Sequence, residues 1–330
     1  MKKAITLALV VLTAALLGGC SSEPEENVVL DLFLDEADIT NERLKAMTDS
    51  GEIPGNVETL SLRNNQISDI TPLESLMKLQ SIYLEGNRIV DISPVQSLVH
   101  MQSLDLSRNQ IDDITPLESL SGLEGLWLWQ NRISDITPLQ SLVKLHTLRS
   151  SGNPISDITP LESLSGLLNL ELDGCQIADL TPLQSLTNLE ILSMNNNQIS
   201  DITPLQNLAQ LLLLYVRGNQ IHDLAPFQSL KEIRLMDLRE NQISDVTPLQ
   251  SLVSLKSLCL DYNQISDLTP LQHLTNLESL SMDNNLIDNL QPLTSLRGLQ
   301  TLSLVENPLT KEQIDELQKA LPACIIISSH

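Results

Sequence analysis

The sequence predicts an α/β repeat solenoid, a parallel sheet assembled one short strand per repeat with tight turns returning along its other side. Three observations carry this. A period of 22 residues begins at Val57 and recurs at Leu79, Met101, Leu123, Leu145, Leu167, Leu189, Leu211, Ile233, Leu255, Leu277 and Leu299, twelve units without insertion or deletion, the last one partial. Within a unit, apolar residues at positions 4 and 6 alternate with mostly polar ones at 3, 5 and 7, the pattern of a strand with one buried face. Eleven units carry proline at position 16, and nine of these read Thr/Ser-Pro-apolar-Glu/Gln, as in Thr71-Pro72-Leu73-Glu74 and Thr203-Pro204-Leu205-Gln206. That reads as a capping box with proline at the first helical position, so each unit returns through a short helical or 3₁₀ turn.

In chain order, Met1-Lys2-Lys3 and the apolar run from Ala4 to Leu17 have the layout of a secretory leader, assigned to residues 1–19. The run is too short to span a bilayer comfortably. Its ending, Leu17-Gly18-Gly19-Cys20, resembles the bacterial lipobox, which implies that cleavage leaves Cys20 as a lipid-bearing N-terminus. Residues 20–27 then read as the lipidated cysteine and a polar tether. Acyl chains contribute about 0.8 kcal/mol per buried methylene, so two or more hold a chain firmly on a bilayer. The expected location is extracytoplasmic, on a bacterial membrane or cell surface.

A repeat stack must hide its core at both ends. Residues 28–56 are the N-terminal cap, with a candidate strand from Val28 to Leu34 and a helix after the N-cap residue Thr40, ended by Gly51. Residues 310–330 are the C-terminal cap: Thr310-Lys311-Glu312-Gln313 opens a helix with Ile314, Leu317 and Leu321 along one side, followed by a short strand from Cys324 to Ile327.

Between them, residues 57–309 follow the consensus L-x-x-L-x-L-x-x-N-x-I-x-D-I-x-P-L-x-x-L-x-x, which is a leucine-rich repeat. Asparagine holds position 9 from Asn65 to Asn307 in every unit but one, where a buried amide can satisfy the backbone of neighbouring turns. Cys175 breaks that column and reads as buried and structural. The units resemble the repeats of bacterial internalins, down to the wording from Asn131 to Leu139, and the resemblance covers Val57 to Leu309. It implies a right-handed, shallowly curved solenoid with a concave sheet and convex 3₁₀ or helical turns, which recognises protein through aromatic and charged residues on the strands. In that family the ligands are often host cell-surface proteins.

The formal charge is −23, and more negative once Lys2 and Lys3 leave with the leader. Nucleic acid and anionic membrane surfaces are therefore excluded as partners, and the lipid is the only expected membrane contact. Much of the acidity lies in the aspartates that hold position 13 from Asp69 to Asp267, so it reads as structural rather than as a sign of a basic ligand. Cys175, Cys259 and Cys324 are odd in number and widely spaced, and no structural disulfide is expected.

Aromatics make up only 2% of the chain, and their placement points to a binding face. Tyr83, Trp127 and Tyr215 fall at position 5, Trp129 at position 7 and Tyr262 at position 8, while only Phe227 takes a core slot within the repeats. Trp and Tyr dominate interface hot spots. Trp127 and Trp129 share one strand, with Arg149 one strand away, Arg108 at the edge of the preceding strand, and Glu171 and Asp173 two strands away. A second patch joins Ile191, Leu213 and Leu235 at position 3 to Tyr215 and Arg217. The expected partner is a protein of a host or of the envelope, or an envelope polymer.

Catalysis is not expected. The five histidines occupy different repeat positions, and there is no HExxH, GxSxG, P-loop or dinucleotide fingerprint, so no cofactor or metal is expected. The best enzymatic pair is Glu171 and Asp173 on one strand face, an alternative reading as a carboxylate hydrolase; a passive envelope scaffold is another.

Overall fold

The computed structural model describes residues 30–330, so the leader, Cys20 and the tether lie outside the described residues. The chain forms two compact units, one running to Asn153 and one from Pro154 to His330.

In the first unit, strands β1 (Leu30–Phe33), β2 (Val57–Ser61), β3 (Ser81–Tyr83), β4 (Ser103–Asp105), β5 (Gly125–Trp127) and β6 (Thr147–Arg149) pair in parallel in chain order. Register is set by leucine: Ile82 faces Leu104, Leu104 faces Leu126 and Leu126 faces Leu148, all wholly buried. Each such side chain contributes about 1.5–3 kcal/mol on burial. The 3₁₀ turns Thr71–Ser75, Ser93–Ser97, Thr115–Ser119 and Thr137–Ser141 return the chain, each burying its central leucine or valine. Helix α1 (Asn41–Asp49) caps this unit; the Thr40 hydroxyl accepts the Arg43 N–H, and Leu44 and Met47 are buried.

The second unit repeats the plan. Strands β7 (Asn169–Glu171), β8 (Ile191–Ser193), β9 (Leu213–Tyr215), β10 (Leu235–Asp237), β11 (Ser257–Cys259), β12 (Ser279–Ser281), β13 (Thr301–Ser303) and β14 (Ile325–Ile327) pair in parallel in chain order. Helix α2 (Lys311–Ala320) covers the last repeat, and its capping box is complete: the Thr310 hydroxyl accepts the Gln313 N–H, and the Gln313 side chain accepts the Thr310 N–H.

Asparagine at position 9 joins one repeat to the next. Asn109 Nδ2 donates to the carbonyl of Leu106 in its own repeat and of Leu84 in the repeat before, each at 3.0 Å. Its Oδ1 accepts the N–H of Ile89 at 2.9 Å. The same set recurs in the second unit at Asn197, with Leu172, Met194 and Ile177. A side chain with two donors and an acceptor is required, because three buried main-chain groups converge on one point. Cys175 stands in this column with its thiol buried, 3.8 Å from the Asp173 carbonyl.

The repeat turns are capped differently from the sequence expectation. Threonine at position 15 makes no capping hydrogen bond, since the residue before it holds the N-cap position of the turn. The aspartate at position 13 does that work instead: Asp113 Oδ1 accepts the Thr115 N–H at 2.8 Å, Asp69 that of Thr71 at 2.9 Å and Asp201 that of Thr203 at 2.8 Å. A 3₁₀ turn is too short to bring the Thr hydroxyl back over the third N–H, whereas a side chain two residues upstream reaches the first.

Two outcomes are expected. Asn109→Ala leaves the buried Ile89 N–H without its acceptor and removes one of the two asparagine donors from each of the Leu84 and Leu106 carbonyls, so it lowers unfolding free energy by about 2–3 kcal/mol in urea titration; a loss within 0.5 kcal/mol would deny the ladder its role. The Thr hydroxyl first, and the Thr N–H second, hold the carboxyls of Asp69, Asp113, Asp135, Asp179, Asp201 and Asp267 below the ordinary aspartate range. A depressed folded-state value adds stability above the unfolded value, about pH 4, and loses it as pH falls through the folded value. The melting temperature should therefore drop below about pH 4, and less steeply when Asp113, Asp135, Asp179 and Asp201 are changed to Asn; an unchanged slope would refute this.

Candidate ligand-binding site

Strand alternation sends positions 4 and 6 inward and positions 5 and 7 onto the strand face. In the first unit that face carries Tyr83, Trp127 and Trp129, all half-buried rather than fully exposed. Two of the three rings have a cation laid over them. The Arg63 guanidinium lies 4.3 Å above the Tyr83 ring and reaches on to Asp105 at 3.5 Å and Glu85 at 3.7 Å. Arg108 stands 3.8 Å from Glu85 and 6.0 Å from the Trp129 ring centre. Stacking of this kind contributes about 0.5–1 kcal/mol at exposed sites and holds the rings in place.

Trp127 is positioned by a neighbour without a side chain. A Cβ built on Gly125 would stand 2.6 Å from Cη2 and 2.7 Å from Cζ3 of the indole, so the far edge of the ring lies over Gly125 in space that a side chain would fill. In register with Trp127, Arg149 lies half-buried on β6. Sequence reasoning named Trp127, Trp129, Tyr83, Arg149 and Arg108, and missed Arg63, Glu85, Asp105 and Gly125. The signal was present: Arg63 holds position 7 and Asp105 position 5, on either side of Tyr83, while Gly125 is the one glycine at position 3.

The other expected residues belong to the second unit. Glu171 is half-buried on β7. Asp173, two residues on, is a clasp between repeats: its Oδ1 accepts the Ser193 hydroxyl and the Asn195 N–H, each at 2.7 Å. Asp283 repeats the arrangement with the Ser303 hydroxyl at 2.6 Å and the Val305 N–H at 2.7 Å, and Asp35 does so in the first unit with Ser61 and Arg63. Asp173 Oδ1 thus ties two repeats together.

Ile191, Leu213 and Leu235 stand in register on β8, β9 and β10, half-buried beside Tyr215. Burial, then the charge of Asp237, pushes the Tyr215 phenol above its usual value. Arg217 is held by Glu240, its Nε 3.1 Å from Oε1. Arg239 is gripped by Asp237, which raises its affinity for the proton further. Burial also pushes the half-buried Cys259 thiol up, away from the reactive thiolate form. Tyr262 is the most exposed aromatic, on a left-handed backbone of φ 56°.

The two strand faces differ in charge. From β2 to β6, positions 3, 5, 7 and 8 set Arg63, Arg108 and Arg149 against Glu85 and Asp105. From β7 to β13 they set Arg217 and Arg239 against Glu171, Asp173, Asp237, Glu240, Asp261, Asp283 and Glu306. The tryptophans thus sit on a cation-bearing face of a strongly acidic chain. Among the described residues, no group of three or more His, Cys, Asp or Glu side chains could hold a metal ion, and no helix is long and apolar enough to cross a membrane.

A family model for leucine-rich repeats, in two copies, matches residues 55–96, 78–119, 121–163, 165–207, 233–273 and 253–295, more than half of the chain. The chain belongs to the leucine-rich-repeat family. Among solved structures it is similar to an internalin, InlF, from Listeria monocytogenes, with 33% identity over 87% of this chain and 82% of that one and a TM-score of 0.79. A leucine-rich-repeat protein of Leptospira interrogans shares the fold at 21% identity, over 90% of this chain and 95% of that one, with a TM-score of 0.69. So does the ectodomain of the Arabidopsis thaliana receptor kinase GASSHO1/SCHENGEN3, in complex with CASPARIAN STRIP INTEGRITY FACTOR 2, at 20% identity over 85% of this chain and 42% of that one, with a TM-score of 0.68. No curated protein matches the chain significantly by sequence. Leucine-rich-repeat solenoids commonly serve as protein-binding frameworks, their strand faces offering extended surfaces.

Gly125→Ala tests the seat of Trp127. The added methyl meets only the far end of the indole, so stability should change by less than about 1 kcal/mol, while the ring leaves its bed and tryptophan emission shifts to the red. An unshifted spectrum would mean that the glycine does not position the ring.

Proposed function

We propose that this leucine-rich-repeat protein is an extracytoplasmic binding module, anchored through a lipid on Cys20, that captures a protein ligand on the strand face around Trp127 and Trp129. Tyr83 and Arg149 extend that surface, and the half-buried patch of Tyr215, Arg217, Ile191, Leu213 and Leu235 is a second contact region. Glu171 and Asp173 contribute polarity rather than turnover. The reading is carried by one observation: two tryptophans and a tyrosine, in a chain with almost no aromatics, lie on the strand face beneath and beside paired cations. A ring held as closely as Tyr83 is under Arg63 is preorganised for binding, because less rotamer entropy is lost on association.

The internalin likeness and the leader ending in Cys20 support a surface location, and the peptide-factor complex of a plant receptor of the same fold supports a polypeptide ligand. Hydrolysis is less well supported, because Asp173 is committed to Ser193 and Asn195.

The test is a pull-down from envelope and host-cell extracts with residues 23–330, run beside Trp127→Ala/Trp129→Ala after circular dichroism has established that both are folded. Truncating a hot-spot tryptophan costs about 2 kcal/mol or more, so a partner held by the wild type should bind the double variant at least about thirtyfold more weakly. Equal recovery would move the site to the Tyr215 patch, and no saturable partner at all would favour a passive scaffold.

A further inference from the structure

Among the described residues, Ser107 Oγ and Arg63 Nε on the tryptophan face are buried and have no hydrogen-bond partner. Ser107 is wholly buried although it holds position 7, an outward position between the inward Leu106 and the turn. Its main chain is satisfied: the N–H donates to Asp105 Oδ1 at 3.1 Å, and the carbonyl accepts the Gly86 N–H at 3.0 Å. Only the hydroxyl is orphaned. Across the sheet, the corresponding residues on either side are Glu85 and Trp129, and Arg108 follows directly in the chain, so a small polar residue stands among much larger ones. Arg63 Nε has Glu85 Oε2 as its nearest counter-charge, at 3.7 Å, beyond hydrogen-bond reach.

Several strand-face serines elsewhere are matched, while Asn169 Oδ1 on β7 is also left without a partner. The serine at position 5 of β2 donates to Asp35, and those of β8 and β13 donate to Asp173 and Asp283. An unmatched buried hydroxyl costs free energy that a fold under no other constraint would avoid by using alanine.

Resting on the reading that this face binds a polypeptide, we infer that its ligand is an uncharged, extended stretch of partner main chain whose carbonyl oxygens accept from Ser107 Oγ–H and Arg63 Nε–H. Both groups can donate, which calls for acceptors. The charges around them are already balanced, Arg63 and Arg108 against Glu85 and Asp105, so an added carboxylate would meet two carboxylates and an added ammonium two guanidiniums. A main-chain carbonyl accepts without bringing charge, and its flanking side chains fall on Trp127, Trp129 and Tyr83. To reach Ser107 the carbonyl displaces the Trp129 indole, which the 6.0 Å stack of Arg108 holds only loosely.

Ser107→Ala separates this from a structural role. Because the hydroxyl has no partner in the free protein, the variant should melt at the same temperature as the wild type or higher. It should also bind the blocked dipeptide N-acetyl-phenylalanyl-glycinamide, followed by isothermal titration calorimetry of the whole protein, about five- to tenfold more weakly. A melting temperature several degrees lower, a dipeptide affinity unchanged by the substitution, or no saturation by the dipeptide would each overturn the inference. Saturation instead by acetate or by methyl glucoside would overturn it in favour of an anion or a sugar. Loss of dipeptide binding in Trp127→Ala/Trp129→Ala but not in Ser107→Ala would remove this inference and leave the proposed face standing. Binding unchanged in both variants would remove both.

Discussion

The repeat stack depends on an asparagine, present in every repeat but the one carrying Cys175, that can bond to three main-chain groups at once. A strand of three residues has too few backbone hydrogen bonds to hold register alone, and the turn that follows it points buried N–H and C=O groups toward the neighbouring repeat. The amide of Asn109, shared among Leu84, Leu106 and Ile89, closes that gap. Because the bond set spans two repeats, each repeat is stable only beside its neighbour, which is why leucine register and asparagine spacing must agree throughout a stack. Polar asparagine and apolar leucine are thus one device: the ladder is strong because the leucines keep water from it.

The same economy places charge. Aspartates at position 13 sit where a 3₁₀ turn begins and accept its first N–H, so the acidity of the chain is largely a by-product of turn-making. Aspartates at position 7 clasp the next repeat through its serine and N–H. What remains for recognition is the strand-face pattern that neither task uses. There the tryptophan face departs from the rest of the chain by holding arginines over aromatic rings and by keeping its charges paired.

A surface that binds must be stable without its ligand and still gain from it. The proposed binding face would meet both demands with rings held by weak stacks and with buried polar atoms left unsatisfied. Stacks of about 0.5–1 kcal/mol are strong enough to orient a side chain and weak enough to yield to a partner. The position-3 glycine under Trp127 serves the same end, since a larger residue would lift the ring from the sheet.

The sequence by itself determined the repeat, the strand and turn positions, both caps and the aromatic residues of the candidate face, because each depends on side-chain period and local geometry that recur in every unit. Even the role of asparagine was legible, since an amide at a buried, repeating position has few other uses. Tertiary structure alone decided which polar groups meet across repeats. That position 13 rather than position 15 caps the turn follows from how tightly a 3₁₀ turn winds. That Asp173 clasps two repeats together follows from Ser193 and Asn195 lying in the next repeat. That Arg63 covers Tyr83, and that Ser107 is buried on an outward position, follows from side chains reaching across the 4.8 Å or so between parallel strands, a contact between repeats that no pattern within one repeat encodes.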